Sequence, residues 1–270
     1  MREIVPFSPT LIGTHDAYKS GIGGVFFSSI YDTPCVYSLV LPQDIQDRLV
    51  TFENPSGDFT MNDFELAAHI AQLILATHFM SPLQNILSGC DNTVATSWTT
   101  KGSVSRQGPA AALLLLKAQL LRQYVVSSSI KYYPGTDNIM ANTASRYAHL
   151  SHHSLLTWCN LYFPQHRSWE FCPLMHDEQQ LLFTALRYGI CLKEWSTHDN
   201  VLTKQPCVVG THSSLGWDCN HTSPPSPIPS PSSKCLHTSC DMEYWPPVAT
   251  ILRNDLLSNT SVPLVRRSPA

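Results

Sequence analysis

Long hydrophobic runs are missing from this 270-residue chain. The longest purely apolar stretch, residues 110–116, falls far short of the roughly 20 residues that a membrane-spanning helix needs. The first residues, Met-Arg-Glu-Ile-Val-Pro, have no apolar core of a secretory signal, so an intracellular protein, cytoplasmic or nuclear, is expected. Charge is sparse: charged residues are 14% of the chain and the net charge is −3, which excludes a polycation. The nine cysteines are odd in number and irregularly spaced, which argues against a disulfide framework and for a reducing compartment. A complete zinc pattern is also missing. Cys207, His212, Cys219, His221, Cys235, His237 and Cys240 show no paired-ligand spacing. Gly21-Ile22-Gly23-Gly24 is no dinucleotide fingerprint, because a strand and not a helix is expected after it. Asn220-His221-Thr222 matches a glycosylation acceptor, which is idle without secretion, and internal repeats are absent.

What the chain does have is an uneven distribution of charge. In residues 1–65 nine acids stand against three bases, Arg2, Lys19 and Arg48. In residues 98–147 six bases (Lys101, Arg106, Lys117, Arg122, Lys131, Arg146) stand against the single acid Asp137. An acidic part suited to metal is followed by a basic part suited to phosphates.

Residues 8–150 read as one compact α/β unit. Residues 9–16, 25–30 and 36–41 are rich in β-formers and read as an antiparallel meander, with a glycine turn at 19–24. A helix is expected from Asp63 to about His78, capped by Thr60 or Asn62, with Phe64, Ala67, Ala71, Ile74 and Leu75 at helical spacing. Residues 83–88 read as a buried strand, 92–100 as a short helix and 110–126 as a helix opened by Pro109. A strand at 129–133, the Pro134-Gly135 turn and a helix at 137–148 complete the order βββαβααβα. Residues 151–199 are expected to form a helical extension, with Trp158, Phe163, Trp169 and Phe171 packing on the first unit. Residues 200–270 are rich in Pro and Ser, and the run at 222–233 cannot build a core, so a largely disordered tail is expected.

Within this order, Asp16 ends the first strand, Glu65 sits in the first turn of the long helix, and Asp91 lies just past the fourth strand. Asn142 lies on the last helix. An Asp after a strand is usually a turn or cap residue, and a Glu in a first helical turn usually complements the helix dipole. Joint placement raises the odds. In a βββαβ layout the three acids can converge on the strand ends, where ligand-binding groups gather in open α/β sheets. Three carboxylates and an amide are oxygen ligands of the kind that hold hard divalent cations.

The residues around these four resemble a known family. Thr14-His15-Asp16-Ala17-Tyr18-Lys19-Ser20-Gly21-Ile22-Gly23-Gly24 is similar to the opening segment of the ribonuclease H domain of retroelement reverse transcriptases. Asn62-Asp63-Phe64-Glu65-Leu66-Ala67-Ala68 resembles its helix carrying the Glu. Cys90-Asp91-Asn92-Thr93 with Ser97-Trp98 resembles its third-acid segment, and residues 134–146 resemble its ending, with Asn142 in place of the fourth Asp. The match spans about half of the chain, and its flavour is that of a DIRS-like retrotransposon polyprotein. Phe163-Pro164-Gln165 with Trp169 is similar to the segment C-terminal to the nuclease in such polyproteins.

The resemblance implies a ribonuclease H-like fold, a mixed five-stranded sheet flanked by helices, with an irregular C-terminal extension. It implies hydrolysis of the RNA strand of RNA–DNA hybrids by two Mg²⁺ or Mn²⁺ ions held by Asp16, Glu65, Asp91 and Asn142. A partner polymerase domain, not visible in this chain, is implied as well. Asn142 brings no charge, so a weakened second metal position is expected, with a degenerate, non-catalytic remnant as the alternative reading. A DNA-processing nuclease of the same fold is a further alternative. Asp137 is weighed as a substitute ligand, though an N-cap role fits it better. Lys101, Arg106, Lys117 and Arg122 are the candidates for the hybrid's phosphates, set against a solvated helix face. Trp98 is expected in the core more than on a sugar, Ser103, Ser105 and Gln107 are candidate polar contacts, and His15 is expected to face outward, as are His149, His152 and His153.

Overall fold

The structure, a computed structural model, describes residues 8–29, 33–78, 85–105, 108–124 and 126–188. Strands β1 (Leu11–Tyr18), β2 (Gly21–Ser28) and β3 (Cys35–Val40) form an antiparallel meander. A single turn, α1 (Gln43–Gln46), leads to the long helix α2 (Met61–His78). Then come β4 (Asn85–Cys90), α3 (Thr93–Lys101), α4 (Pro109–Tyr124), β5 (Ser127–Tyr132) and α5 (Ile139–Arg146). Helix α6 (His152–Tyr162), strand β6 (Glu170–Phe171) and helix α7 (His176–Tyr188) complete the described chain.

The mixed sheet flanked by helices that the sequence implies is observed, with six strands and not five, in the order β5-β4-β1-β2-β3-β6. The extra strand, β6, pairs parallel with the edge strand β3. Two residues are too few for a periodic signal, and β6 exists because β3 offers it a free edge. The glycine turn also differs from expectation, since Gly21, Gly23 and Gly24 lie inside β2. A Cβ on Gly23 would come within 2.5 Å of the Ala144 backbone, and one on Gly24 within 2.4 Å of the Thr14 carbonyl. These glycines serve close approach of β2 to its neighbours, not a turn.

Both faces of the sheet are covered. On one side Leu11, Phe26, Tyr37 and Leu39 pack with α2, α4 and α7. On the other, Ile12, Val25, Phe27, Val36 and Leu87 pack with Ala144, Leu155, Cys159 and Trp169. Helix α2 is buried on every side from Asp63 to Ala76, as expected of a helix enclosed by a sheet and other helices. Its N-terminus is capped through Asp63, whose Oδ2 accepts from the Thr60 backbone N–H and hydroxyl, each at 2.7 Å.

Double coverage explains His15. It was expected to face outward, but it is fully buried on the α2 side of β1, with Nδ1 3.0 Å from Gln72 Oε1. Alternation along β1 then sends Asp16 to the opposite face, against α5. Among the described residues no helix is long and apolar enough to cross a membrane. The tail, residues 200–270, with its cysteines and histidines, lies outside the described residues.

Candidate active site

Strand register brings the first and third acids together. β1 and β4 run parallel, and the ladder ends at Thr14↔Gly89. Two residues beyond that pair are Asp16, still in β1, and Asp91, just past the end of β4, close enough for the Asp91 charge to act on Asp16. The first helical turns of α2 and α5 end at this edge too. Asn92 caps α3, its Oδ1 accepting from the Val94 and Ala95 N–H groups, while its Nδ2 donates to Asn62 Oδ1 at 2.8 Å. That bond fixes the strand end carrying Asp91 against the helix start carrying Glu65.

Electrostatics show how close the acids are. Burial pushes the Asp16 carboxyl up to about 6, its hydrogen bond from Ser145 draws it back, and the negative Asp91 raises it further. Glu65 is held well above the ordinary carboxylate range, first by burial and then by Asp16 and Asp91. Asp91, half-buried, is raised by burial, with its own backbone amide and Arg146 opposing. Three carboxyls raised by burial, with Asp91 acting on Asp16 and both acting on Glu65, are what a bound cation would relieve.

Three ligand atoms, one each from Glu65, Cys90 and Asp91, lie within 4.8 Å of one another. Asn142 comes from the first turn of α5. Its Nδ2 donates to the Gly135 carbonyl at 2.9 Å, while its buried Oδ1 has no hydrogen-bond partner. Asp91 approaches the same glycine, since a Cβ on Gly135 would sit 2.5 Å from Asp91 Oδ2. The pocket therefore combines three raised carboxyls with a glycine that leaves room for Asp91, and the Asn142 amide is anchored to that same glycine. The residues present fit a divalent cation.

Asp137 has the place of neither a ligand nor a cap. It is exposed on the turn before α5, and the N-cap is Asn138. Asn138 turns inward, where its Nδ2 donates to the His15 carbonyl at 3.0 Å and ties α5 to β1. Ser145, Arg146 and Cys90 were not among the residues expected at the site. Ser145, fully buried, donates its hydroxyl to Asp16 Oδ2, and Arg146 is the cation beside both Asp16 and Asp91. Their signal was the Ser-Arg pair that closes the last motif. For Cys90 there was no signal beyond adjacency to Asp91.

The expected basic residues divide. Lys101 is exposed and, with Thr93, Val94, Ser97, Trp98, Ser103, Val104 and Ser105, lines a surface groove of ≈ 480 Å³. Trp98 is partly buried, packed on the core from the groove. Arg122 is exposed on α4. Lys117 departs from expectation. It is buried and donates its Nζ to the Thr99 carbonyl at 2.9 Å, so it supports the C-terminal turn of α3 and offers nothing to a phosphate. Arg106 and Gln107 lie outside the described residues.

The topology has βββαβααβα as its backbone, with only the single turn α1 inserted and the acids on β1, α2 and the end of β4. The fold is ribonuclease H-like. No family model matches this chain, and no curated protein does. Solved structures of ribonucleases H with a similar course do. One is ribonuclease H1 of Halobacterium salinarum, with 17% identity and a TM-score of 0.38, covering 52% of this chain and 96% of that one. Another is LC11-RNase H1, solved in complex with an RNA/DNA hybrid, with 16% identity and a TM-score of 0.39, covering 50% and 92%. A third is the N-terminal ribonuclease H domain of a Mycobacterium tuberculosis protein, with 15% identity and a TM-score of 0.36, covering 53% and 97%. At these values the ribonuclease H-like assignment rests on this chain's own topology.

Proposed function

We propose that this ribonuclease H-like domain hydrolyses the RNA strand of RNA–DNA hybrids, as the nuclease part of a retrotransposon reverse transcriptase polyprotein. The observation that carries the reading is the convergence of Asp16, Glu65 and Asp91, from three separate elements, into one pocket in which all three carboxyls are raised. Asp16, Glu65, Asp91 and the Asn142 amide oxygen would hold two Mg²⁺ or Mn²⁺ ions. Bound ions of this kind supply an activated water and a stabilised leaving oxygen during attack on phosphorus. This chain's own residues do the positioning. Ser145 orients Asp16, Asn92 sets Asp91 against Glu65, and Asn138 anchors α5 beside β1.

Lys101, with Trp98 and the serines of the α3 groove, offers a basic, partly aromatic surface for the hybrid's backbone. Arg122 is a second exposed candidate, on α4. The deciding experiment is cleavage of RNA–DNA hybrid, duplex DNA and duplex RNA in parallel with Mg²⁺ or Mn²⁺. RNA-strand cleavage of the hybrid alone, abolished in Glu65→Gln, is expected. Cleavage that persists in Glu65→Gln, or that is confined to duplex DNA, sinks the proposal.

A second reading is a catalytically silent domain that keeps the fold and hybrid binding. The specific observation in its favour is Asn142, whose amide is anchored to the Gly135 carbonyl and adds no negative charge. Hybrid binding without cleavage in either metal would establish it.

A further inference from the structure

The inner wall of the carboxylate pocket holds a thiol. Cys90, the last residue of β4, is fully buried, with Sγ 3.9 Å from Glu65 Oε2 and within 4.8 Å of an Asp91 carboxylate oxygen. The Asn92 N–H points at the same sulfur, at 3.4 Å. A centre built only for magnesium has no use for sulfur, because a hard ion takes oxygen ligands and dehydrates reluctantly. Sulfur with two carboxylates is the donor set of a softer ion.

Bonds of about 2.3 Å to sulfur and about 2.1 Å to oxygen put tetrahedral donors about 3.6 Å apart. The three side chains therefore need to close by only about 1 Å. The half-buried Asp91 gives access from solvent.

We infer that Glu65, Cys90 and Asp91 form a binding site for a thiophilic divalent cation of the zinc or cadmium type. Such an ion occupies the shared carboxylates in competition with Mg²⁺ or Mn²⁺ and so regulates the centre. As the sulfur–metal bond forms, the thiol proton leaves to solvent. The regulatory role rests on the metal-centre reading above, whereas the binding site itself does not depend on which substrate is cut.

The test is cadmium titration of the full chain without substrate, followed by thiolate-to-metal charge-transfer absorption. Wild type and Cys90→Ser are compared, so that the eight other cysteines cancel in the difference. A saturating difference band is expected, weakened at least about tenfold in affinity in Asp91→Asn, which keeps the thiol but loses an oxygen ligand. Mg²⁺ in excess should displace it. No difference band, or a band indifferent to Asp91→Asn, overturns the inference. Cys90→Ala provides a second thiol-free reference should the serine disturb packing. Hybrid cleavage is read separately. Cleavage without a difference band defeats this inference alone, and a difference band without cleavage defeats the nuclease reading alone.

Discussion

Asn142 places an amide where the resemblance calls for a fourth carboxylate, and its surroundings show what that costs and what it spares. Its Nδ2 satisfies the Gly135 carbonyl, while its Oδ1 is left for a ligand. In Asn142→Asp the donor is lost and a carboxylate oxygen faces that carbonyl. The metal-free variant should therefore be less stable, on the order of 1–3 kcal/mol for the broken and unsatisfied pair. With Mg²⁺ present, the added charge should raise hybrid cleavage by about tenfold or more. A magnesium titration read by melting temperature and by cleavage checks both halves, and an unchanged rate would clear Asn142 as the defect.

Buried ionisable residues also set the pH response. Asp16 is raised from 3.8 to about 6, so the fold favours its protonated form. Its contribution to stability is complete below 3.8 and is lost as pH rises through 6. Burial lowers His15 from 6.5 to about 4, with its hydrogen bond to Gln72 opposing. Its contribution is present above 6.5 and is lost as pH falls through 4. Burial also holds His69 well below its ordinary range; its ring lies 5.1 Å from that of His15, and neither of its nitrogens makes a hydrogen bond. Acids and histidines thus oppose each other in the same window. His69→Leu removes one opponent, so its metal-free melting temperature should climb more than that of wild type on acidification from pH 6.5 to 4. Parallel pH profiles of the two proteins would show that His69 is not held neutral by the fold.

At the scale of elements, the site depends on how tightly α5 sits on β2. Gly23 permits that contact, because any Cβ there meets Ala144 and Ser145 within 2.7 Å. Gly23→Ala is expected to cost about 1–3 kcal/mol through overpacking. It should also lift Ser145 away from Asp16, so that cleavage falls more steeply than stability does. Urea melts alongside hybrid cleavage would test the link, and full activity in a destabilised variant would break it.

The same elements show why the sequence was legible in places and not in others. The helical spacing of Phe64, Ala67, Ala71 and Ile74 was enough to find α2, because periodicity reports enclosure by apolar neighbours. It did not report that His69 and Gln72 would be enclosed as well. Lys117 shows the same limit. Its charge suggested phosphate contact, and only the packing of α3 and α4 on α2 brought it onto the Thr99 carbonyl.

For the whole molecule, the helices after the motif region are part of the same body. α7 packs on α2 and α4, burying Leu181, Leu182, Phe183 and Leu186, while Arg187 holds Asp44 of α1 through two hydrogen bonds of 2.6 and 2.8 Å. Trp169 packs edge-on against Phe27 at 5.4 Å on the opposite face of the sheet. A chain ending at residue 175 would expose apolar side chains that are each worth about 1.5–3 kcal/mol when buried. It should therefore lose several kcal/mol and much of its melting temperature. An unchanged urea midpoint would make α7 an appendage.

By itself the sequence determined the order of the main elements through α5 and the positions of four candidate ligands, because hydrophobic spacing, turn residues and short motifs are local properties of the chain. The tertiary structure decided which groups share a pocket. Parallel register set Asp16 beside Asp91, double coverage of the sheet buried His15, and the end of β4 put the Cys90 thiol among the carboxylates. Those are relations between segments far apart in sequence, and they exist only once the chain has packed.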